Sequence, residues 1–425
     1  MAASLRLESG HVRVDVVVLG AGIVGASAAA HLARRGVRTA LVDRRAPGKE
    51  TSFGNAGLIE PSGVVPMAFP RDLATLAKAA LGLLPQSNYH LSALPALLPF
   101  LWRYRQQSTH ANRLRSGVAL FPLLSRAVEA HRELLTAAGA AHLLHPTGFY
   151  RLFRAPESFE RYLSFELAVE AGYGSPYEIL SPAEVAARDP AIRPVFHKAV
   201  WWKDAVAVRS PGEAVTAIAG LVPRHGGLLL TGDARSLRRD GTGFRVDTGA
   251  GPLEADTVVV ALGPWSTDVT EQFKLKLPFA VKRGYHMHFE PGSDAKFDTP
   301  FVDMEGGYFL APMPRGIRLT TGVEFALRDA PPTPVQIERT RPMANELVAL
   351  GPPLDPEPWM GRRPCLPDSL PVIGRLTGAE GVVLAFGHQH LGLTLGPITG
   401  QLVADIVTGT APVVDPAPYR PERFA

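Results

Sequence analysis

The chain is poor in the features that mark several protein classes. It holds one cysteine, Cys365, in 425 residues, which excludes an internal disulfide, a cysteine-ligated iron–sulfur cluster and a zinc ribbon. No window of about 18 uncharged apolar residues occurs, so no spanning helix is predicted. The first residues, MAASLRLESGHVRV, contain no apolar segment of signal type. No long basic run is present, and 44 Lys and Arg against 40 Asp and Glu leave a net charge of +4. That balance excludes a nucleic-acid binder built on charge. No internal repeat is found. His388 and His390 stand close together but have no neighbouring carboxylate or cysteine, so no metal site is predicted.

What is present begins at residues 15–43, DVVVLGAGIVGASAAAHLARRGVRTALVD. Val16 to Leu19 form a short run with no polar residue, as a strand buried on both faces should. Gly20, Gly22 and Gly25 follow in G-x-G-x-x-G spacing. The first allows a tight turn, the second lets a pyrophosphate reach the backbone, and the third lets the helix pack on the sheet. That helix opens with Ile23 and Val24 and runs without proline to Gly36. Its start aims N–H groups and a partial positive charge at phosphates. Val37 to Val42 read as a second strand ended by Asp43, suited to a ribose hydroxyl, with Arg44 next. The combination implies a dinucleotide site. A plain glycine turn would leave Asp43 unexplained.

Residues 44–70 form a long turn-rich connection, and a loop of that length inside a compact domain signals function. Asp72 is placed to cap a helix over 73–84, which Pro85 ends. LPALLPFL at 94–101 is apolar but holds two prolines. A long helix is predicted over 111–138 with a kink at Pro122, and a strand over 147–154. Residues 156–171 read as helical, and Ser181 with Glu184 signals a helix start. After a helix at 211–224 the period shortens to strands, which recur at 280–289, 307–313 and 317–324 before a helix over 335–350. The segment GVVLAFGHQHLGLTLGPITGQLVADIVTG repeats the order strand, glycine turn, helix, and the proline-rich end reads as a tail. The fold class is α/β: a Rossmann-like domain with an inserted α+β substrate domain on an antiparallel sheet. The first takes residues 12–72, 205–275 and 360–415, the second 73–204 and 276–359, and the tail 416–425.

Several segments in order, GAGIVGASAAAHLARRG, VDRR, ETSFGNAG, ALGPWS, RRPCLPDSLPVIG and FGHQHLGLTLGPITGQLVADI, resemble the D-amino-acid oxidase superfamily of flavoenzymes. Within it they are similar to the bacterial D-amino-acid dehydrogenases. GHQHLGLT is similar to relatives acting on cyclic substrates such as cis-4-hydroxy-D-proline. The resemblance implies FAD, bound non-covalently because Cys365 does not match the cofactor-attaching cysteines of the superfamily. It implies that Asp43 takes the adenosine ribose and that Ser52, Gly54, Asn55, Ala56 and Gly57 lie along the pyrophosphate and flavin. Ala234 would meet the adenine, and Ala261, Leu262 and Gly263 would approach the nucleotide through their backbone. Gly387, His388, Leu391, Gly392, Leu393 and Thr394 would lie against the flavin ring.

Flavin-dependent amino-acid oxidation moves a hydride from Cα, so the protein must clamp the carboxylate, keep the amine neutral and hold Cα over the ring. By resemblance Arg363 is the carboxylate clamp, and a guanidinium suits that task. Tyr308 in GGYFLAP is a second candidate near the carboxylate. His286 in KRGYHMHF shares a strand face with His288, with Tyr285 on the other. His390 stands where relatives place a second substrate-facing basic group. The implied function is oxidative deamination of D-amino acids, D-proline and cis-4-hydroxy-D-proline included. N-methyl amino acids or 2-hydroxy acids, a nicotinamide-dependent enzyme and a non-catalytic flavin subunit stay open. The resemblance implies a quinone or carrier protein as electron acceptor rather than O2. Residues 79–101 read either as core or as an apolar patch for peripheral membrane contact. The protein is expected in the cytoplasm or on the cytoplasmic face of the inner membrane.

Overall fold

The strand Val12–Leu19 lies in the middle of a parallel array, with Thr39–Asp43 on one side and Gly251–Val260 on the other. The computed structural model describes residues 12–293 and 296–424. Leu228–Asp240 and Val382–Phe386 extend the array on its two sides, and Val372–Arg375 closes one edge antiparallel. Gly243–Thr248 bridges two of the long strands. The helix Ile23–Arg34 packs against the helix Gly392–Thr408 near the other end of the sequence. They come close because a Cβ at Gly400 would lie 2.5 Å from the Ser27 Cβ. The segment Gln389–Thr408 is long and apolar enough to cross a membrane by length and composition, but most of it is buried. Its apolar content serves the core, where Ile398, Leu402 and Val403 meet Ala28 and Leu32.

A second sheet has eleven strands. Its central strand, Ala280–Pro291, pairs with Gly316–Thr320, Val323–Phe325, Leu350–Pro353 and Trp359–Cys365. Tyr308–Met313, Phe301–Asp303 and Phe149–Phe153 continue it. Tyr285, Met287, Leu310 and Leu319 project from one face into a core shared with the helix Val335–Leu347. A small third sheet of Leu58–Ile59, Val206–Val208 and Leu144–His145 anchors the chain leaving the loop at 50–57.

The structure departs from the sequence expectation in three places. LPALLPFL opens a helix, Leu94–Gln107, with Pro95 in the first turn, where a missing N–H costs little. The predicted long helix is two helices, His110–Leu124 and Ala127–Ala138, with Pro122 inside the first. Their position in the sequence puts both in the substrate domain, yet Leu123, Leu134 and Leu135 pack in one core with Leu402 of the nucleotide domain. The end of the chain is not a free tail. Tyr419 is buried, and the Arg423 guanidinium bonds the Asp368 carboxylate at 2.7 Å.

Candidate active site

Gly20 takes φ +105°, and a Cβ there would lie 2.4 Å from the Ala261 carbonyl oxygen. A Cβ at Gly25 would lie 1.8 Å from the Gly20 carbonyl oxygen, so this glycine sits behind the turn as close packing requires. The Asp43 carboxylate accepts the Ala21 N–H at 2.7 Å and the Arg45 N–H at 3.0 Å. Ser52 Oγ accepts the Ile23 N–H at 3.0 Å, which ties the following loop to the helix start. Between these groups runs a cleft of about 380 Å³. Its lining includes Gly20, Gly22, Ile23, Val24, Asp43, Arg44, Ser52, Ala234, Ala261, Leu262, Gly263, His388 and Gly392. Trp265 also lines it, with the Arg44 guanidinium 4.2 Å from the ring centroid. Trp265 belongs to the segment ALGPWS, although no role was expected for its ring. A carboxylate for ribose hydroxyls, a turn without side chains and a helix N-terminus in one cleft fit the adenosine diphosphate part of FAD. Cys365 does not line this cleft. It is buried beside Ala93, Leu97 and Phe100.

The loop at 50–57 is fixed from the second sheet. A Cβ on Gly54 would lie 1.8 Å from the Trp359 ring, so the backbone passes directly under the indole. Gly57, at φ +77°, lies against the Val208 carbonyl, and its N–H is accepted by Asn55 Oδ1 at 2.8 Å. Arg318 Nη1 donates to the carbonyls of Asn55 and Phe53 at 2.6 and 3.2 Å. Its Nε donates to His288 Nε2 at 3.1 Å, and His288 Nδ1 donates to Asp355 at 2.8 Å. These bonds assign the Nδ1–H tautomer to His288. Burial brings the Arg318 guanidinium down to about 10. Sequence reasoning missed Arg318, on the strand Gly316–Thr320, and Asp355, in the bend after Leu350–Pro353, which carry no local pattern.

Side chains alternate along Ala280–Pro291. Arg283 and Tyr285 point one way and bond Glu324 at 2.6 and 2.7 Å. Lys282, Gly284, His286 and His288 point the other way, and Lys282 lies directly opposite Arg363 on the neighbouring strand. The Arg363 guanidinium crosses Gly284 and donates to the carbonyls of Gly322, Thr321 and Arg283 at 2.9, 3.2 and 3.3 Å. It has no carboxylate partner among the described residues, and burial lowers its pKa. Arg362 points to the opposite face and donates to the Arg328 carbonyl at 2.9 Å.

Two of the candidates for chemistry lie elsewhere than expected. Tyr308 faces the other side of the sheet, in the core with Tyr285 and Leu310. Burial raises its phenol, and Arg154 and Asp303 are its polar neighbours. Its neighbour Phe309, in register with Thr320, takes the face of His286. His286 is on the expected face but closed off. It stacks on Trp359 at 4.9 Å and is 2% exposed, with no bond to Nδ1. Burial, then Arg318, lower it to about 2, which makes it a neutral packing ring under the loop at 50–57.

His390 is half-buried and makes no hydrogen bond within the described residues. Burial lowers it to about 4, and the charges of Arg363, Lys282 and Arg151 act in the same direction. Arg151 is itself neutralised by Glu60 at 2.6 Å and Glu170 at 2.8 Å. Around His390 the other predicted loop residues knit the turn together. Gly387 takes φ +89°, and His388 Nε2 lies 3.0 Å from Thr399 Oγ1. Thr394 Oγ1 donates to the Leu58 carbonyl at 3.2 Å, while Leu391 and Leu393 are buried in the main core. Ala56, between Asn55 and Gly57, is half-buried. Arg363 and His390 are thus brought together, and Tyr308 and His286 are not.

The sequence pattern of the DAO family, described as "FAD dependent oxidoreductase", matches residues 15–406. The chain is 30% identical to a D-amino-acid oxidase of Bradyrhizobium diazoefficiens over 96% of this chain and 98% of that protein. It is 29% identical to a D-amino acid dehydrogenase of Azorhizobium caulinodans over 94% of this chain and 97% of that one. Its fold is similar to that of glycine oxidase from Geobacillus kaustophilus, with a TM-score of 0.73, 23% identity and coverage of 97% and 99% of the two chains.

Proposed function

This chain belongs to the DAO family of FAD-dependent oxidoreductases, and we propose that it is a dehydrogenase that deaminates D-amino acids. The observation that carries this is Arg363, a guanidinium without a carboxylate partner beside the unbonded His390 ring. The relatives named D-amino-acid oxidase and D-amino acid dehydrogenase support the substrate class. FAD, when bound without a covalent link, supplies the two-electron acceptor. Asp43, Ser52 and the glycine turn would hold its nucleotide half, and the loop at 50–57 with the turn at 387–394 would border its ring. Arg363 binds the substrate carboxylate and fixes Cα. His390, neutral above pH about 4, offers its free ring nitrogen as a hydrogen-bond acceptor to the substrate amine, whose proton goes to water before the neutral amine is oxidised. The imino acid formed hydrolyses with water to an oxo acid and ammonia.

Anaerobic bleaching of the bound flavin with D- and L-amino acids tests this reading. The panel includes D-proline and cis-4-hydroxy-D-proline, the ring substrates suggested by GHQHLGLT, with N-methyl amino acids and 2-hydroxy acids as the competing class. In Arg363→Ala the KM is expected to rise about ten- to a hundredfold with FAD retained, the cost of one charged hydrogen-bonded contact. An unchanged KM removes Arg363 from the site.

We propose further that electrons leave to a quinone or carrier protein at a membrane surface. The helix Leu73–Ala80 has no buried residue, and Met67, Leu73, Leu81, Leu83, Leu91, Leu98 and Trp102 are exposed. Arg71, Lys78 and Arg103 are exposed among them, and Asp72 is the one acid between residues 67 and 109. Such a face suits the surface of an anionic bilayer on the cytoplasmic side. The holoenzyme is expected to sediment with vesicles containing anionic lipid, and Leu81→Ser with Leu83→Ser to lose that binding. Equal sedimentation of the variant argues against the contact.

A further inference from the structure

Arg363 is not the sole cation on this wall. Lys282 lies directly across from it, on the same face of the neighbouring strand. The charges of both act on the His390 ring, so both stand near the turn at 387–394. Lys282 is 6% exposed. Its ammonium sits 3.6 Å from the centroid of the Tyr104 ring and 5.8 and 6.0 Å from those of Phe100 and Phe325. It makes no hydrogen bond or ion pair within the described residues.

Among the described residues the surroundings hold no anion for either group. Glu324, on the strand paired with Ala280–Pro291, faces away and is bound to Arg283 and Tyr285. Glu60 and Glu170 are taken by Arg151. The carbonyls around Arg363 satisfy part of its fork without supplying charge. Aromatic faces attract the Lys282 ammonium but meet none of its three N–H donors. Two enclosed positive charges side by side without a counter-ion repel each other and lose hydration. The aromatic cage seats the ammonium but brings no counter-charge to it.

We propose that the pocket takes an amino acid bearing a second carboxylate, a short dicarboxylic amino acid of the aspartate or glutamate type. Arg363 holds the carboxylate on Cα and Lys282 holds the one on the side chain. Residues directly opposite on paired strands are side-chain neighbours, so both cations rise from one stretch of this wall. This inference rests on the amino-acid reading above. It leaves the chemistry at Cα unchanged and assigns Lys282 to specificity.

The test pairs binding with turnover on the FAD-loaded protein. Glutarate and butyrate are titrated against the flavin absorbance, since both lack the amine and neither is oxidised. Glutarate is expected to bind at least about tenfold tighter, and Lys282→Met to abolish that preference while Lys282→Arg keeps it. D-aspartate and D-glutamate are then compared with D-alanine and D-proline in anaerobic bleaching. KM for the diacids is expected to rise about tenfold or more in Lys282→Met, with KM for D-alanine unchanged. Equal binding of glutarate and butyrate, or a preference for D-alanine untouched in Lys282→Met, overturns the proposal. If glutarate binds through Lys282 but no amino acid bleaches the flavin, the diacid pocket stands and the amino-acid reading falls.

Discussion

Lys282 and Arg283 are neighbours in the chain with opposite surroundings. The Arg283 guanidinium is fully buried and bound to Glu324 at 2.6 Å, whereas Lys282 faces aromatic rings and no carboxylate. Alternation along a strand is the whole cause. The same rule moves Tyr308 out of the site. A tyrosine one position away, where Phe309 stands, would have faced His286, because a shift of one residue exchanges the two faces. Tyr308→Phe therefore tests the placement. Loss of a buried hydroxyl beside Arg154 and Asp303 is expected to cost about 1 kcal/mol in stability and to leave the KM for every substrate unchanged. A raised KM would return Tyr308 to the pocket.

At the scale of elements, the joint between the helices Ile23–Arg34 and Gly392–Thr408 governs the nucleotide domain. A Cβ at Gly400 would lie 2.6 Å from the backbone nitrogen of Ala28, a contact that side-chain rotation cannot relieve. Gly400→Ala is expected to destabilise by about 1–3 kcal/mol, the usual cost of overpacking. A lower denaturant midpoint at constant slope would show it, and a wild-type midpoint would show that the helices can part without cost. The helix starts were legible where chemistry is local. Asp72 accepts the Thr75 N–H at 2.7 Å, and Ser181 with Glu184 forms the capping box. The break between Leu124 and Ala127 was not legible, since helical spacing continues across it and packing on Leu402 decides where each helix turns.

Across the whole molecule the histidines set the response to acid. His31, His131 and His390 are held at about 4, His388 at about 3 and His286 at about 2, in each case chiefly by burial. A free imidazole titrates near 6.5. Between the two values the unfolded chain binds protons that the folded chain refuses, so the stability these rings contribute is complete above pH about 6.5 and is lost as pH falls toward 4. Each ring adds a slope of up to about 1.4 kcal/mol per pH unit. Glu170, raised to about 7 by burial, acts in the opposite sense, as does the raised Asp204, while His145 and His288 are also lowered by burial and act with the five rings. Tm is expected to fall steeply on acidification from pH about 6.5, and His131→Gln to make the fall shallower. A flat Tm over that range would mean that the rings titrate normally in the fold.

The sequence by itself determined the dinucleotide turn, because three glycines, a helix start and Asp43 do their work within one continuous βαβ unit. It determined the order of the segments that line the cleft, since each carries its own spacing or composition. The tertiary structure alone decided which charges lack a partner. Arg151, Arg283, Arg318, Arg363 and Lys282 are alike as letters in the chain. Four distant carboxylates, Glu60, Glu170, Glu324 and Asp355, answer the first three directly or through His288, and leave Arg363 and Lys282 without a carboxylate among the described residues. Compensation of charge is a property of distances below a few ångströms between residues far apart in sequence, and only the folded sheet sets those distances.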